Sequence, residues 1–219
     1  MAESDFETIL SQCDAILGKL KNIPKDITIE VEFCATTDEL YEKRCYLTTD
    51  AIAKEHLKKD KEKYRNACGC YIIPPINNHF VILLKNSNIF LDAYNYLHEF
   101  AHVCNYLDYT SSNGCNNLFE PFENHAHCLW DEYNARYIST CAMIEFLESR
   151  CEKEDISSTL KMVCNCLRQS SLPEDVRSYD GSQLLGTVAA MHRYGYVKCY
   201  EEYLSSNEIF VLNEYAAKE

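Results

Sequence analysis

The sequence contains no Cys-x-x-Cys pair, no apolar run approaching the roughly 18 residues that cross a membrane, and no unbroken basic cluster. These absences exclude, in turn, the usual ligand spacing of cysteine-based structural zinc sites, a membrane-spanning helix, and a surface built to displace counterions from nucleic acid. The net charge of −13 reinforces the last exclusion. The one basic run, Lys58, Lys59, Lys61 and Lys63, is interleaved with Asp60 and Glu62 and reads as a solvated helix face. The opening Met-Ala-Glu-Ser-Asp-Phe-Glu lacks the basic and apolar regions of a secretory leader. A cytoplasmic protein is therefore expected, with neither a nucleic-acid nor a membrane partner.

What is present suits a globular chain. With 219 residues, 47% of them hydrophobic, the protein can bury a substantial core without covalent help. Its 13 cysteines are accordingly expected to be reduced and mostly buried, packing as small hydrophobes rather than as a disulfide framework. The pairs Cys68/Cys70 and Cys164/Cys166 are too closely spaced to suggest a second metal site.

Phe6, Ile9, Leu10, Cys13, Ile16, Leu17 and Leu20 recur at helical spacing and predict an opening amphipathic helix that Pro24 ends. Ile29, Val31 and Phe33 alternate with Thr28, Glu30 and Glu32, the pattern of a half-buried strand. Thr49-Asp50 offers a cap for a charged helix running to about Tyr64. Two β-rich runs, Cys70 to Ile73 and His79 to Lys85, are separated by Pro74, Pro75, Asn77 and Asn78, which predicts a hairpin or something close to one. Asn86-Ser87-Asn88 supplies caps for a helix whose apolar face carries Phe90, Ala93, Leu97, Ala101 and Cys104. After a polar loop over 110–117, a long helix is expected from near Pro121 toward Arg150, and two further helices near 157–168 and 182–204. The fold class is α+β: a small β-sheet, one helix that carries the chemistry, and a mostly helical C-terminal part. The expected division is a domain over 1–150, with 151–219 as a helical extension packed on the same domain.

His98-Glu99-Phe100-Ala101-His102 matches H-E-x-x-H. Residues four apart on a helix lie one turn above each other on one face, so both imidazoles can reach one Zn²⁺ at about 2.0–2.1 Å. Glu99 lies beside them, where its carboxylate can take a proton from a metal-bound water and act as general base. The reaction implied is hydrolysis of a peptide bond. A catalytic site needs a third protein ligand and an open position. Glu132, on the helix after the loop, is the first candidate, because 29 residues let the chain turn and run a second helix past the ion. Ala135, one turn on, is small enough for the helices to approach. Asp108 is the second candidate, six residues after His102, at the spacing used when the third ligand follows a tight turn. Asn105 then stands where such a turn carries glycine. His125, Asp131 and Arg136 are candidate supporting residues: Asp131 as an orienter of a ligand imidazole, and Arg136 as an ion-pair partner or an oxyanion stabiliser. His125 and Cys128 fall on helix faces near Glu132.

These residues resemble the zincin metallopeptidases with glutamate as third ligand, and within them the ImmA/IrrE-type family. The likeness covers roughly residues 1–150 and rests on His98-Glu99-x-x-His102, the small sheet, and a glutamate followed three residues later by alanine. The resemblance implies one zinc ion per chain, a zincin-like fold, and an edge strand that pairs with an extended substrate backbone. Phe80, Val81, Ile82, Leu83 and Leu84 are the strand expected to do so. The expected partner is a peptide or protein substrate. The alternative function is a non-catalytic, zinc-stabilised interaction protein, distinguished by a closed fourth coordination position filled by His125, Cys128 or Asp108.

Overall fold

A computed structural model of the chain describes residues 3–20, 27–59, 68–72, 79–113, 120–170 and 178–218. Among them it is a mixed α+β structure with nine helices and one three-stranded sheet. The helices are α1 (Glu3–Leu20), α2 (Thr37–Leu47), α3 (Ala51–Lys59), α4 (Ile89–Asn113), α5 (Glu120–Glu123), α6 (His125–Glu148), α7 (Lys153–Ser170), α8 (Tyr179–Arg193) and α9 (Ser206–Ala216). The strands are β1 (Thr28–Cys34), β2 (Gly69–Ile72) and β3 (His79–Lys85). No helix of the described residues is long and apolar enough to cross a membrane. The predicted turn at 73–78, and the end of the charged helix beyond Lys59, lie outside the described residues.

The sheet order is β1-β3-β2, with β1 parallel to β3 and β2 antiparallel to it. This corrects the expectation that Phe80–Leu84 form an edge strand. Both backbone edges of β3 are already taken, by Thr28–Cys34 on one side and Gly69–Ile72 on the other. The physical reason is visible in the side chains. Phe80, Ile82 and Leu84 are buried in the core under α4, while Leu83 is buried with Cys34, Leu40, Cys70 and Ile72 on the face that α2 covers. A strand buried on both faces reads as a continuous apolar run, and such a strand is central.

Helix α6 joins two cores. Ala135, Ile138, Ala142 and Phe146 pack with Leu97, Ala101 and Cys104 of α4, with Leu17 of α1 and with the sheet. Leu129, Tyr133 and Ile144 pack instead with Ile156 and Leu160 of α7, Leu184, Leu185 and Val188 of α8, and Val211, Leu212 and Tyr215 of α9. A helix apolar on nearly every side must be covered on every side, and the C-terminal helices supply the second cover. The single helix expected from near Pro121 is broken: α5 ends at Glu123, and the Asn124 side chain accepts from His127 N to cap α6. Helices α2 and α9 were not expected from the apolar pattern. Of the eleven described cysteines, five are buried and four exposed, so the expectation of mostly buried thiols holds for fewer than half.

Helices α6 and α8 approach closely at Gly186. A Cβ there would lie 2.3 Å from the Tyr133 carbonyl oxygen and 2.9 Å from Tyr137 N. Backbone cannot yield as a side-chain tip can, so Gly186→Ala forces the helices apart. The expected loss is about 1–3 kcal/mol or more, the range for overpacking, read as a fall of several degrees in melting temperature. An unchanged melting temperature would contradict the close packing.

Candidate metal centre

Helix α4 turns His98 and His102 toward Glu132 of α6 and sets Glu99 beside Gly69 of β2, and all three are buried. The two imidazoles lie one turn apart with ring centroids 4.5 Å from each other. Their Nε2 atoms are 3.1 Å apart. Glu132 reaches into the same space from α6, with Oε2 3.5 Å from His98 Nε2 and Oε1 3.7 Å from His102 Nε2. Two ligands of one tetrahedral zinc stand about 3.3 Å apart by simple trigonometry on bonds of about 2.0–2.1 Å. The three side chains could therefore hold one metal ion, and they are the one such group among the described residues.

The lone pairs are aimed by their outer partners. Asp131 Oδ2 lies 2.7 Å from His102 Nδ1, which fixes the proton on that nitrogen and turns Nε2 inward. Asn105 Nδ2 donates to the other Asp131 oxygen at 2.6 Å. Glu132 is held from α8, where Gln183 Nε2 donates to its Oε2 at 2.9 Å. Arg136 Nη2 donates to Gln183 Oε1 at 2.6 Å. A guanidinium has no acceptor, so the amide oxygen of Gln183 must face Arg136 and its NH₂ must face Glu132. The Arg136 guanidinium also lies over the Tyr94 ring at 5.0 Å. The His98 Nδ1 atom is buried without a hydrogen-bond partner, a cost of about 1–3 kcal/mol that a bond from Nε2 to a cation would offset.

Burial and charge set the protonation states. Burial pushes His98 down to about 4, helped by the positive Arg136 and His102, so its ring is neutral at pH 7. Burial also works against a charge on His102, but the carboxylates of Asp131 and Glu132 overcome it and raise the ring to about 10. His102 Nε2–H can then donate to His98 Nε2. Burial works against the charge on Glu132, but the positive His102 outweighs it, with the hydrogen bond from Gln183 in support, and draws it down to about 2. Glu99 is pushed up to about 7, by burial first and by Glu132 after it. With both imidazoles neutral and Glu99 ionised, the three carboxylates Glu99, Asp131 and Glu132 against Arg136 leave two net negative charges in a largely buried space, which a divalent cation would cancel.

The structure thus brings His98, His102 and Glu132 together and places Glu99 and Asp131 around them. It does not bring the other candidates in. Asp108 is exposed on α4, because the helix continues through Asn105 to Asn113 without the tight turn that its role required. His125 is exposed at the first position of α6. Cys128 Sγ donates to the Pro121 and Phe122 carbonyls instead of facing the cluster. Arg136 makes no ion pair with Glu132 among the described residues and is linked to it through Gln183. Phe80–Leu84 lie in the central strand.

Three contributors escaped the sequence reading. Gln183 is 51 residues from Glu132 and carries no local signal. Tyr71 of β2 stacks on His102 with centroids 5.7 Å apart and planes 20° apart. Gly69 makes room for Glu99: a Cβ there would stand 3.1 Å from Glu99 Oε1. Compared with protein families, characterised proteins and solved structures, the chain matches none, so the functional reading rests on this geometry.

Metal binding at this centre must displace the proton on His102, since the ring is charged at neutral pH without an ion. The sign follows: affinity weakens as pH falls, and strengthens as pH rises toward the His102 value. Calorimetry in buffers of different ionisation enthalpy should find roughly one proton released per ion bound near pH 7.5. Affinity independent of pH between 6 and 8 would contradict these protonation states.

Proposed function

We propose that the protein is a zinc-dependent metallopeptidase of the zincin type, as its resemblance to the ImmA/IrrE-type family implies. The observation that carries this reading is the buried Glu99 beside a cluster of two imidazoles and one carboxylate. A structural ion needs no carboxylate beside its ligands, whereas hydrolysis needs a general base there. Among the described residues no His125, Cys128 or Asp108 side chain joins the cluster. Three candidate protein ligands and no fourth among the described residues favour a reaction centre over the alternative of a purely structural ion.

When bound, zinc would supply Lewis acidity, acidifying water and polarising a peptide carbonyl. The chain's own residues do the rest. His98, His102 and Glu132 hold the ion, while Asp131 and Gln183 keep their lone pairs aimed. Glu99 accepts the proton of the attacking water as the new C–O bond forms. It then delivers that proton to the leaving nitrogen as the C–N bond breaks. Gly69 leaves the Glu99 carboxylate the room it occupies.

The substrate backbone is assigned to β2 rather than β3. Gly69–Ile72 pair with β3 on one side and have no strand partner on the other among the described residues. This strand borders the centre through Tyr71 and Gly69. Main-chain pairing there gives affinity without side-chain identity.

Glu99→Gln should keep the bound metal and lower cleavage of a quenched-fluorescent peptide mixture by about 10²–10⁴-fold, the usual worth of a general base. His98→Ala should lose both metal and cleavage. A Glu99→Gln protein that cleaves as fast as the parent would overturn the mechanism.

A further inference from the structure

The metal centre is bordered by a continuous run of aromatic rings that leads outward from a ligand to solvent. His102 is 5% exposed, Tyr71 is partly buried and Phe122 is 44% exposed. Tyr71 stacks on His102 at 5.7 Å, Phe122 meets Tyr71 at 6.4 Å, and Phe122 also stacks on Tyr106 at 6.2 Å with planes 26° apart. Phe80 backs this group through an edge contact with Tyr106 at 6.0 Å. The exposed end is not loosely placed. Cys128 Sγ donates to the carbonyls of Pro121 and Phe122 at 3.6 and 3.5 Å, tying α5 to the first turns of α6.

Other large apolar side chains are also exposed, among them Tyr46, Leu91, Met162 and Phe210. Single exposed apolar residues are ordinary. Phe122 differs because its ring continues a stack that ends on a metal-ligand imidazole. Apolar surface held open beside a few convergent polar groups is how a binding site fixes one part of its ligand.

We infer that Tyr71 and Phe122 form a specificity subsite for an aromatic side chain of the substrate, on the residue flanking the bond to be cut. The inference rests on the metallopeptidase reading and narrows its substrate class. A peptide laid along β2 places the side chain opposite Tyr71 on the same face of the sheet as Tyr71 itself. That face is the one on which Phe122 stands. Aromatic rings gain from offset or edge contacts at centroid separations of about 4.5–7 Å, beyond the area they bury. An acidic or short polar side chain gains no comparable contact there.

The test uses two metal-chelating probes that share a hydroxamate group and differ in a ring, acetohydroxamate and 3-phenylpropanohydroxamate. Each is titrated into the zinc-loaded protein by calorimetry, so that the readout is binding rather than activity. The parent should bind the phenyl compound at least about 10-fold more tightly. Phe122→Ala should erase most of that preference while leaving acetohydroxamate binding unchanged, and Phe122→Tyr should retain it. A parent without preference, or a Phe122→Ala protein that keeps it in full, would overturn the subsite and leave the metal reading standing. If neither hydroxamate binds the zinc-loaded protein, the metallopeptidase reading fails and the subsite fails with it.

Discussion

Packing α4 against α6 draws two imidazoles, three carboxylates and a guanidinium away from water, and the arrangement of the centre follows from how that charge is held. Isolated charges cannot be buried at tolerable cost, so each must be paired or neutralised. Without an ion the protein answers with protons: His102 keeps its second one and Glu99 is half-protonated near neutrality. A divalent cation could replace that arrangement, because it would meet two imidazole lone pairs and the Glu132 carboxylate at once. The same demand accounts for the second rank of contacts. Asp131 fixes His102, Asn105 fixes Asp131, and Gln183 joins Arg136 to Glu132.

Helix α6 is what makes this interior possible. It carries Asp131, Glu132 and Arg136 in consecutive turns, yet it is buried by two different cores. The cover from α8 is close enough at Gly186 that a methyl group has no space, and the same helix supplies Gln183. The residues after Glu148 therefore act on the centre directly, by fixing a ligand carboxylate from a distance in sequence that spans two helices.

The features legible in the sequence are those encoded within one element. His98, Glu99 and His102 announce themselves because a four-residue spacing fixes a helix face. Glu132 and Asp131 were readable as neighbours on a second helix, one as a candidate ligand and the other as a candidate orienter. Asn88 and Asp50 do cap the helices expected after them. Features that depend on assembly were not legible. Strand order puts β3 in the centre, although its unbroken apolar run, in place of the alternation seen in β1, was a signal for that position. Helices α2 and α9 lack a clear apolar stripe, but both open on a Thr or Ser followed three residues later by Glu, Thr36 with Glu39 and Ser205 with Glu208. Asn105 looked like a turn residue only because its partner, Asp131, lies on another helix. Gln183 had nothing local to mark it.

The central claim is that His98, His102 and Glu132 hold one metal ion, and zinc content per chain tests it most directly. The protein and its His98→Ala, Glu132→Ala and Asp108→Ala variants would be purified without chelator, supplied with zinc, freed of excess and measured by elemental analysis. The account predicts about one zinc ion per chain in the parent and in Asp108→Ala, and a loss of bound zinc in the other two. A parent that retains no zinc, or a Glu132→Ala protein that retains it as tightly as the parent, would contradict the account.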